Sequence, residues 1–170
     1  MNIILIGMRG SGKSTIGKIL SKKTNKTFYD LDKLLVQKIG ISIPEIIKKY
    51  DWEYFRDKES EIVEEISKET NAIIATGGGI VLRQKNIDIL KKNGKFIYMK
   101  TSIDTMIKRI GDNKNRPSLT NKKFLREELE EVLPQRKNLY ESTADVTITT
   151  DNKTPKSIAD EVITILKKII

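Results

Sequence analysis

The sequence opens on the run Asn2-Ile-Ile-Leu-Ile6 and passes at once into GMRGSGKST over residues 7–15; no other feature limits the fold as much. A continuous β-branched run is the pattern of a strand buried on both faces, as in a parallel sheet. The segment after it matches G-x-x-x-x-G-K-[ST], a motif that carries weight only between a strand and a helix. Gly7, Gly10 and Gly12 let the backbone curl around phosphate with its amides inward, where a Cβ would block the approach. The following helix offers its positive N-terminal end to the anion. Lys13 adds a point charge that reaches the β- and γ-phosphates, and the Ser14 hydroxyl is placed to ligate Mg²⁺. A space-saving turn would leave the Lys-Ser pair without a reason. The junction predicts Mg²⁺·ATP-dependent phosphoryl transfer, with Gly10, Ser11, Gly12, Lys13, Ser14 and Thr15 on the nucleotide.

The rest of the chain alternates strand and helix. Helices are predicted over Lys13–Thr24, Leu31–Ile39, 52–68, 80–92 and 124–140, with Pro134 bending or restarting the last of these. Ser42 caps a helix beginning near Pro44, and Ser102 or Asp104 starts one that runs through Arg109. Short apolar runs at 27–29, Ala72–Ala75 and 95–99 read as strands, and the alternation over 144–149 suits an edge strand. Thr154 caps a final helix with Pro155 at its first position and Ile158, Val162, Ile165, Leu166 and Ile169 as its buried stripe. Residues 111–123 lack apolar periodicity and read as a mobile loop. Without linker or repeat, this order predicts one α/β domain with a parallel sheet and right-handed crossovers.

Composition narrows the chemistry. The 170 residues include no Cys and no His, so there is no disulfide framework, thiolate zinc site or imidazole base. Catalysis rests on carboxylates, Lys, Arg, backbone amides and bound metal. No apolar run approaches a membrane span, and Asn2–Ile6 is too short for a signal peptide, so a cytoplasmic protein without membrane contact is expected. The net charge of +9 comes from scattered lysine pairs and reads as a solvated basic surface, with nucleic acid not expected as a partner. The arginines say more. In so Lys-rich a chain, a retained Arg suggests that a planar fork is needed.

Ligands of open α/β sheets sit beyond the carboxyl ends of the strands, so the acceptor is read there. Asp30 and Asp32 follow the second strand; each suits a ligand role, and each also suits capping the next helix. Thr76-Gly77-Gly78-Gly79 follows the third strand, and three glycines suit a backbone lying close against a ligand. Arg56 and Glu59 are helical neighbours that could be only a surface pair. A loop carrying Arg116 is what phosphoryl transfer needs near developing charge.

Taken in order, GMRGSGKST at 7–15, FYDLD at 28–32, FRDKE at 55–59, ATGGG at 75–79, NRP at 115–117, RKNLY at 136–140 and ADVTIT at 144–149 resemble the shikimate kinases over nearly the whole chain. That resemblance implies a three-layer α/β/α P-loop NTPase fold like that of the nucleoside monophosphate kinases, with a five-stranded parallel sheet in order 2-3-1-4-5 and a mobile lid. It implies a single kinase domain over 1–170, a lid near 111–123, a shikimate-binding helical region near 31–62, and a monomer. The activity implied is γ-phosphoryl transfer from ATP to the 3-hydroxyl of shikimate, in aromatic amino-acid biosynthesis. Asp32 would contact the hydroxyls and act as base, with Lys13 and Arg116 as the other catalytic groups. Arg56 and Arg136 would hold the carboxylate, with Phe55, Glu59 and the Gly77, Gly78 and Gly79 backbone completing the acceptor site. Ser14 and Asp30 match the Mg²⁺ positions, Arg116 the lid arginine, Arg109 the arginine near adenine, and Lys153 the adenine loop. The chain departs from the family pattern at Asp51-Trp52, where Gly-Glu is frequent, and at Ser118-Leu119, where Leu-Leu is usual. Competing readings are a small kinase for gluconate or a nucleotide, an ATP-dependent nucleic-acid module, and a nucleotide-binding regulator without catalysis.

Overall fold

A computed structural model describes residues 1–111, 118–120 and 124–169. Strand β1 (Asn2–Ile6) is buried along its whole length, between β3 (Ala72–Ala75) and β4 (Gly94–Lys100), both parallel to it. β2 (Thr27–Asp30) pairs outside β3 and β5 (Val146–Thr149) outside β4, giving the sheet order β2-β3-β1-β4-β5. Side chains alternate between the faces of a strand, and this explains why β1 is apolar at every position from Ile3 to Ile6. Ile3 and Leu5 join a cluster with α1 (Lys13–Thr24) and α8 (Pro155–Ile169), through Ile16, Leu20, Ile158 and Val162. Ile4 and Ile6 enter the opposite cluster with α2 (Leu31–Ile39), α3 (Ile43–Lys49), α4 (Trp52–Ile66) and α5 (Gln84–Lys91). Each such side chain, fully buried, contributes roughly 1.5–3 kcal/mol relative to exposure.

Local chemistry sets most helix starts. Ser42 and Glu45 form a reciprocal capping box at α3, and the Asp51 carboxylate accepts the Tyr54 N–H at 2.7 Å to start α4. Ser102 accepts the Thr105 N–H at 3.3 Å and so starts α6 (Ile103–Ile110). Thr154 accepts the Ser157 N–H at 3.2 Å ahead of α8, whose Ile158, Val162 and Leu166 are buried as predicted.

Four boundaries differ from the sequence expectation. The helix expected over 80–92 is a 3₁₀ turn, Ile80–Leu82, followed by α5. Arg83 between them is extended (φ −119°, ψ 105°), its guanidinium drawn back to Asp57 at 2.7 Å and to Glu53 on α4. α4 ends at Ile66 rather than near 68. α7 (Leu125–Thr143) is one helix with Pro134 inside it, not a restarted pair. β5 begins at Val146, because the Asp145 carboxylate takes the Phe96 N–H at 2.8 Å in place of a backbone acceptor. Among the described residues no helix is long and apolar enough to cross a membrane.

Gly94 opens β4 under a fully buried Ile4. A methyl there would sit 3.0 Å from Ile4 Cγ1 and 3.2 Å from the Leu90 carbonyl oxygen. Gly-to-Ala ordinarily helps a strand, but here it overpacks the core. Gly94→Ala is expected to cost about 1–3 kcal/mol in urea unfolding; equal or greater stability would show that this corner of the core has room.

Candidate active site

The loop between β1 and α1 is shaped by two glycines in the left-handed region, Gly10 at φ 78° and Gly12 at φ 94°. Gly12 is the N-cap of α1 and brings no side chain to cap it. The first amides of α1 therefore keep their hydrogen-bonding capacity for an anion. The Lys13 ammonium turns back over the loop and donates to the Gly7 and Met8 carbonyls at 2.7 and 2.9 Å. Beside it, the Ser14 hydroxyl donates to Asp30 Oδ2 at 2.7 Å, while Asp30 Oδ1 accepts the Lys33 N–H at 3.3 Å as the N-cap of α2. One side chain thus caps α2 and also stands beside Ser14 at the carboxyl end of β2. These groups line a cavity of about 370 Å³ together with Gly10, Gly12, Thr15, Arg109, Pro155 and Ile158. Arg109 is held there by Thr150, whose carbonyl accepts from it at 2.9 Å and whose hydroxyl accepts at 3.0 Å.

A second cavity, of about 480 Å³, opens on the α2–α4 side and is lined by Phe55, Arg56, Glu59, Gly77, Gly78, Gly79 and Arg136, among others. Asp32 and Gly78 line both cavities. They form the partition where the two spaces meet. Two glycines of the run, Gly77 and Gly79, are packed closely by charged side chains at this partition. A methyl on Gly77 would fall 2.6 Å from Glu59 Oε1 and 2.8 Å from Asp32 Oδ1, and one on Gly79 would overlap the Arg56 guanidinium. Gly78 has ordinary clearance, so Gly77 and Gly79 exist to admit charged side chains against the backbone.

The charges of the second cavity do not cancel locally. Arg56 pairs with the buried Glu59 at 2.7 Å and lies over the rings of Phe55 and Trp52, 5.0 and 5.5 Å from their centroids. Trp52 thus supports Arg56 through its ring face. Arg136 is also buried, and among the described residues no carboxylate forms an ion pair with it. Burial pushes its guanidinium below the ordinary value; Tyr140 opposes that, and the like charge of Arg56 adds to it. Guanidinium does not give up its proton in proteins. Two forks that share one paired carboxylate make a cavity suited to an anion with planar geometry.

Every described candidate except Lys153 lines one of the two cavities or its loop. Lys153 pairs with Glu161 at 2.6 Å and is not part of either lining. Arg116, with Asn115 and Pro117, lies outside the described residues, as does most of the expected lid at 111–123. Three contributors escaped the sequence reading. Arg9 lines the second cavity and is ion-paired to the buried Glu128 of α7. Glu128 Oε2 also accepts the Leu119 N–H at 2.9 Å, which seats Leu119 on the same cavity. Tyr140 is fully buried and donates its hydroxyl to the Gly78 carbonyl. The available signals were the position of Arg9 inside the phosphate loop and that of Tyr140 at the end of RKNLY; nothing local distinguishes Glu128 from other surface-type acids on a helix.

Comparison with known proteins converges on one family. The family model described as shikimate kinase matches residues 9–167. The shikimate kinase of Sulfurihydrogenibium sp. (strain YO3AOP1) is 37% identical over 167 residues, covering 98% of this chain and 98% of its own. That of Enterococcus faecalis is 39% identical over 168 residues, covering 98% and 99%. Among solved structures, the shikimate kinase from Acinetobacter baumannii in complex with shikimate superposes with a TM-score of 0.94 at 30% identity, covering 98% of this chain and 93% of that one.

The buried acid of the second cavity makes stability depend on pH. Burial pushes the Glu59 carboxyl above its ordinary 4.5; Arg56 opposes this, Asp32 adds to it, and Arg136 opposes it. A raised value in the folded state means that the folded protein binds the proton more tightly. The contribution is therefore complete below about pH 4.5 and is lost as pH rises through the folded value. Unfolding free energies of wild type and Glu59→Gln, compared between about pH 4 and about pH 8, should show wild type losing ground as pH rises. A pH-independent difference would mean that Arg56 fully compensates the burial.

Proposed function

The chain belongs to the shikimate kinase family and is an ATP-dependent kinase, and from that premise we propose how its own residues transfer the γ-phosphoryl of ATP to the 3-hydroxyl of shikimate. The observation that carries the proposal is the partition: Asp32 and Gly78 belong to both cavities, so a phosphate on one side and a hydroxyl on the other meet there. In this reading Gly10, Ser11, Gly12, Lys13, Ser14 and Thr15 hold the phosphates, with Lys13 turning from the Gly7 and Met8 carbonyls to the anion. Arg109 flanks the adenine end, and Lys153 is assigned to the adenine loop by its sequence position alone. The shikimate carboxylate takes the place of the negative charge that Arg56 and Arg136 lack. Phe55 and the Gly77–Gly79 backbone face the ring, and Glu59 keeps Arg56 in place.

Asp32 accepts or orients the proton of the 3-hydroxyl while its oxygen forms the new bond to the γ-phosphorus. The bond from that phosphorus to the β–γ bridging oxygen breaks, ADP leaves, and shikimate 3-phosphate remains. A hydroxyl and a carboxylate are hard oxygen donors suited to Mg²⁺, and Ser14 and Asp30 already share a hydrogen bond on the phosphate cavity. These two would hold the ion, which when bound offsets charge on the β- and γ-phosphates. The role of Arg116 over the phosphates is supported by its motif. We assign residues 31–62 to acceptor binding and 111–123 to a lid, in a single domain over 1–170. We also assign the protein to the cytoplasm, from its lack of a long apolar run, and read it as a monomer, from the resemblance.

Two measurements test this reading. An ADP-release assay with shikimate, quinate, gluconate and nucleoside monophosphates should show turnover with shikimate; turnover with another acceptor alone would overturn the acceptor assignment. Asp32→Asn should lower kcat about 10²-fold or more while the fold is kept. A folded variant with near-normal kcat would reduce Asp32 to a residue of the α2 first turn.

A further inference from the structure

Tyr140 lies near the end of α7, one turn beyond Arg136, and its ring is fully buried and stacked on Tyr98 with centroids 5.0 Å apart. A phenylalanine would fill that space equally well. The hydroxyl is a different matter, because a buried hydroxyl costs free energy unless it is hydrogen-bonded. Here it lies among three elements of the site at once. It donates to the Gly78 carbonyl in the turn after β3, sits 3.7 Å from the Met8 sulfur in the phosphate loop, and stands four residues from the buried Arg136 on the same side of α7. Gly78 lines both cavities and Arg136 lines the second.

We propose that Tyr140 is a positioning residue: its hydroxyl ties the anion-binding fork of Arg136 to the Gly78 peptide at the partition, so that the acceptor's carboxylate and its reacting hydroxyl are held in one frame. The tie works in two directions. Arg136 has no carboxylate partner among the described residues, and the phenolic oxygen offers its fork an acceptor that leaves the remaining donors for an anion. The peptide between Gly78 and Gly79 is planar and trans, so anchoring the Gly78 carbonyl also fixes the Gly79 N–H pointing the opposite way. Arg56 packs directly against Gly79, so one hydroxyl sets the relative positions of both forks. Burial pushes the Tyr140 phenol up to about 12, against the pull of Arg136. The hydroxyl therefore keeps the proton that it donates to Gly78 throughout the neutral range. The inference rests on the acceptor reading of the second cavity.

Tyr140→Phe keeps the ring and its stack on Tyr98 and removes only the oxygen. The shikimate KM should rise about tenfold, the expected scale for a lost hydrogen bond to a charged group, with the ATP KM within about twofold and Tm within about 5 °C. In an Arg136→Ala background the same change should raise the shikimate KM by less than about twofold, because the group that the hydroxyl positions is already gone. An unchanged shikimate KM in Tyr140→Phe overturns the inference. So does a full tenfold effect in the Arg136→Ala background, or a parallel rise of both KM values with a large fall in Tm, which would make the hydroxyl a packing support only. A wild-type protein that turns over another acceptor but not shikimate removes the acceptor assignment instead, and the same cycle on that acceptor still decides whether Tyr140 and Arg136 act together.

Discussion

Both ends of β1 are locked to its neighbours, and the phosphate loop and the glycine turn take their relative positions from that. At the start of the strand the Asn2 amide donates to the Glu69 carbonyl at 2.8 Å, its side-chain oxygen accepts the Ala72 N–H at 2.9 Å, and its backbone N–H reaches the Asn93 carbonyl at 2.7 Å. At the far end Thr76 binds the Leu5 carbonyl through both its N–H, at 3.2 Å, and its hydroxyl, at 3.0 Å. With β1 unable to slide against β3, the phosphate loop and the glycine turn leave the sheet side by side. A one-residue slip would turn Ile3 and Leu5 toward the wrong core, so apolar burial enforces the same register.

Above that edge, the arrangement is dominated by charge held away from water. Such groups persist only when paired or when a ligand completes them. Arg9 has Glu128 and Arg56 has Glu59, while Arg136 is buried one turn from Tyr140 without an ion pair among the described residues. The positive excess is thus concentrated at the second cavity, which Arg9, Arg56 and Arg136 all line. Gly77 and Gly79 give up side chains so that Asp32, Glu59 and Arg56 can lie against the backbone. α7 carries Glu128, Arg136 and Tyr140 on one element, so its placement reaches the phosphate loop, the anion forks and the partition together.

The departures from the usual family pattern find local explanations. Asp51 caps α4 and Trp52 offers its ring to Arg56, so the pair supports the fork through a cap and a π face. Ser118 donates its hydroxyl to Glu128, whose carboxylate also holds the Leu119 N–H. That ties this segment to the partner of Arg9.

The sequence alone determined whatever depends on neighbours in the chain. The buried β1, the phosphate loop, the bounds of α1 and α2, and the Ser42 and Thr154 caps all follow from residues within a turn or two. Hydrogen bonds of that range form wherever the right side chain stands at the right offset. The family resemblance carried by the motifs also singled out Asp32, Arg56, Gly77–Gly79 and Arg136, which line one cavity. Only the tertiary structure decided which distant groups share a carboxylate, a carbonyl or a ring face. Arg83 pairing with α4, Glu128 joining Arg9 to Leu119, and Tyr140 reaching the Gly78 carbonyl join residues brought together by packing across the fold. Burial, not spacing, sets the strength of the Glu128 and Tyr140 contacts, and burial is a property of the folded chain.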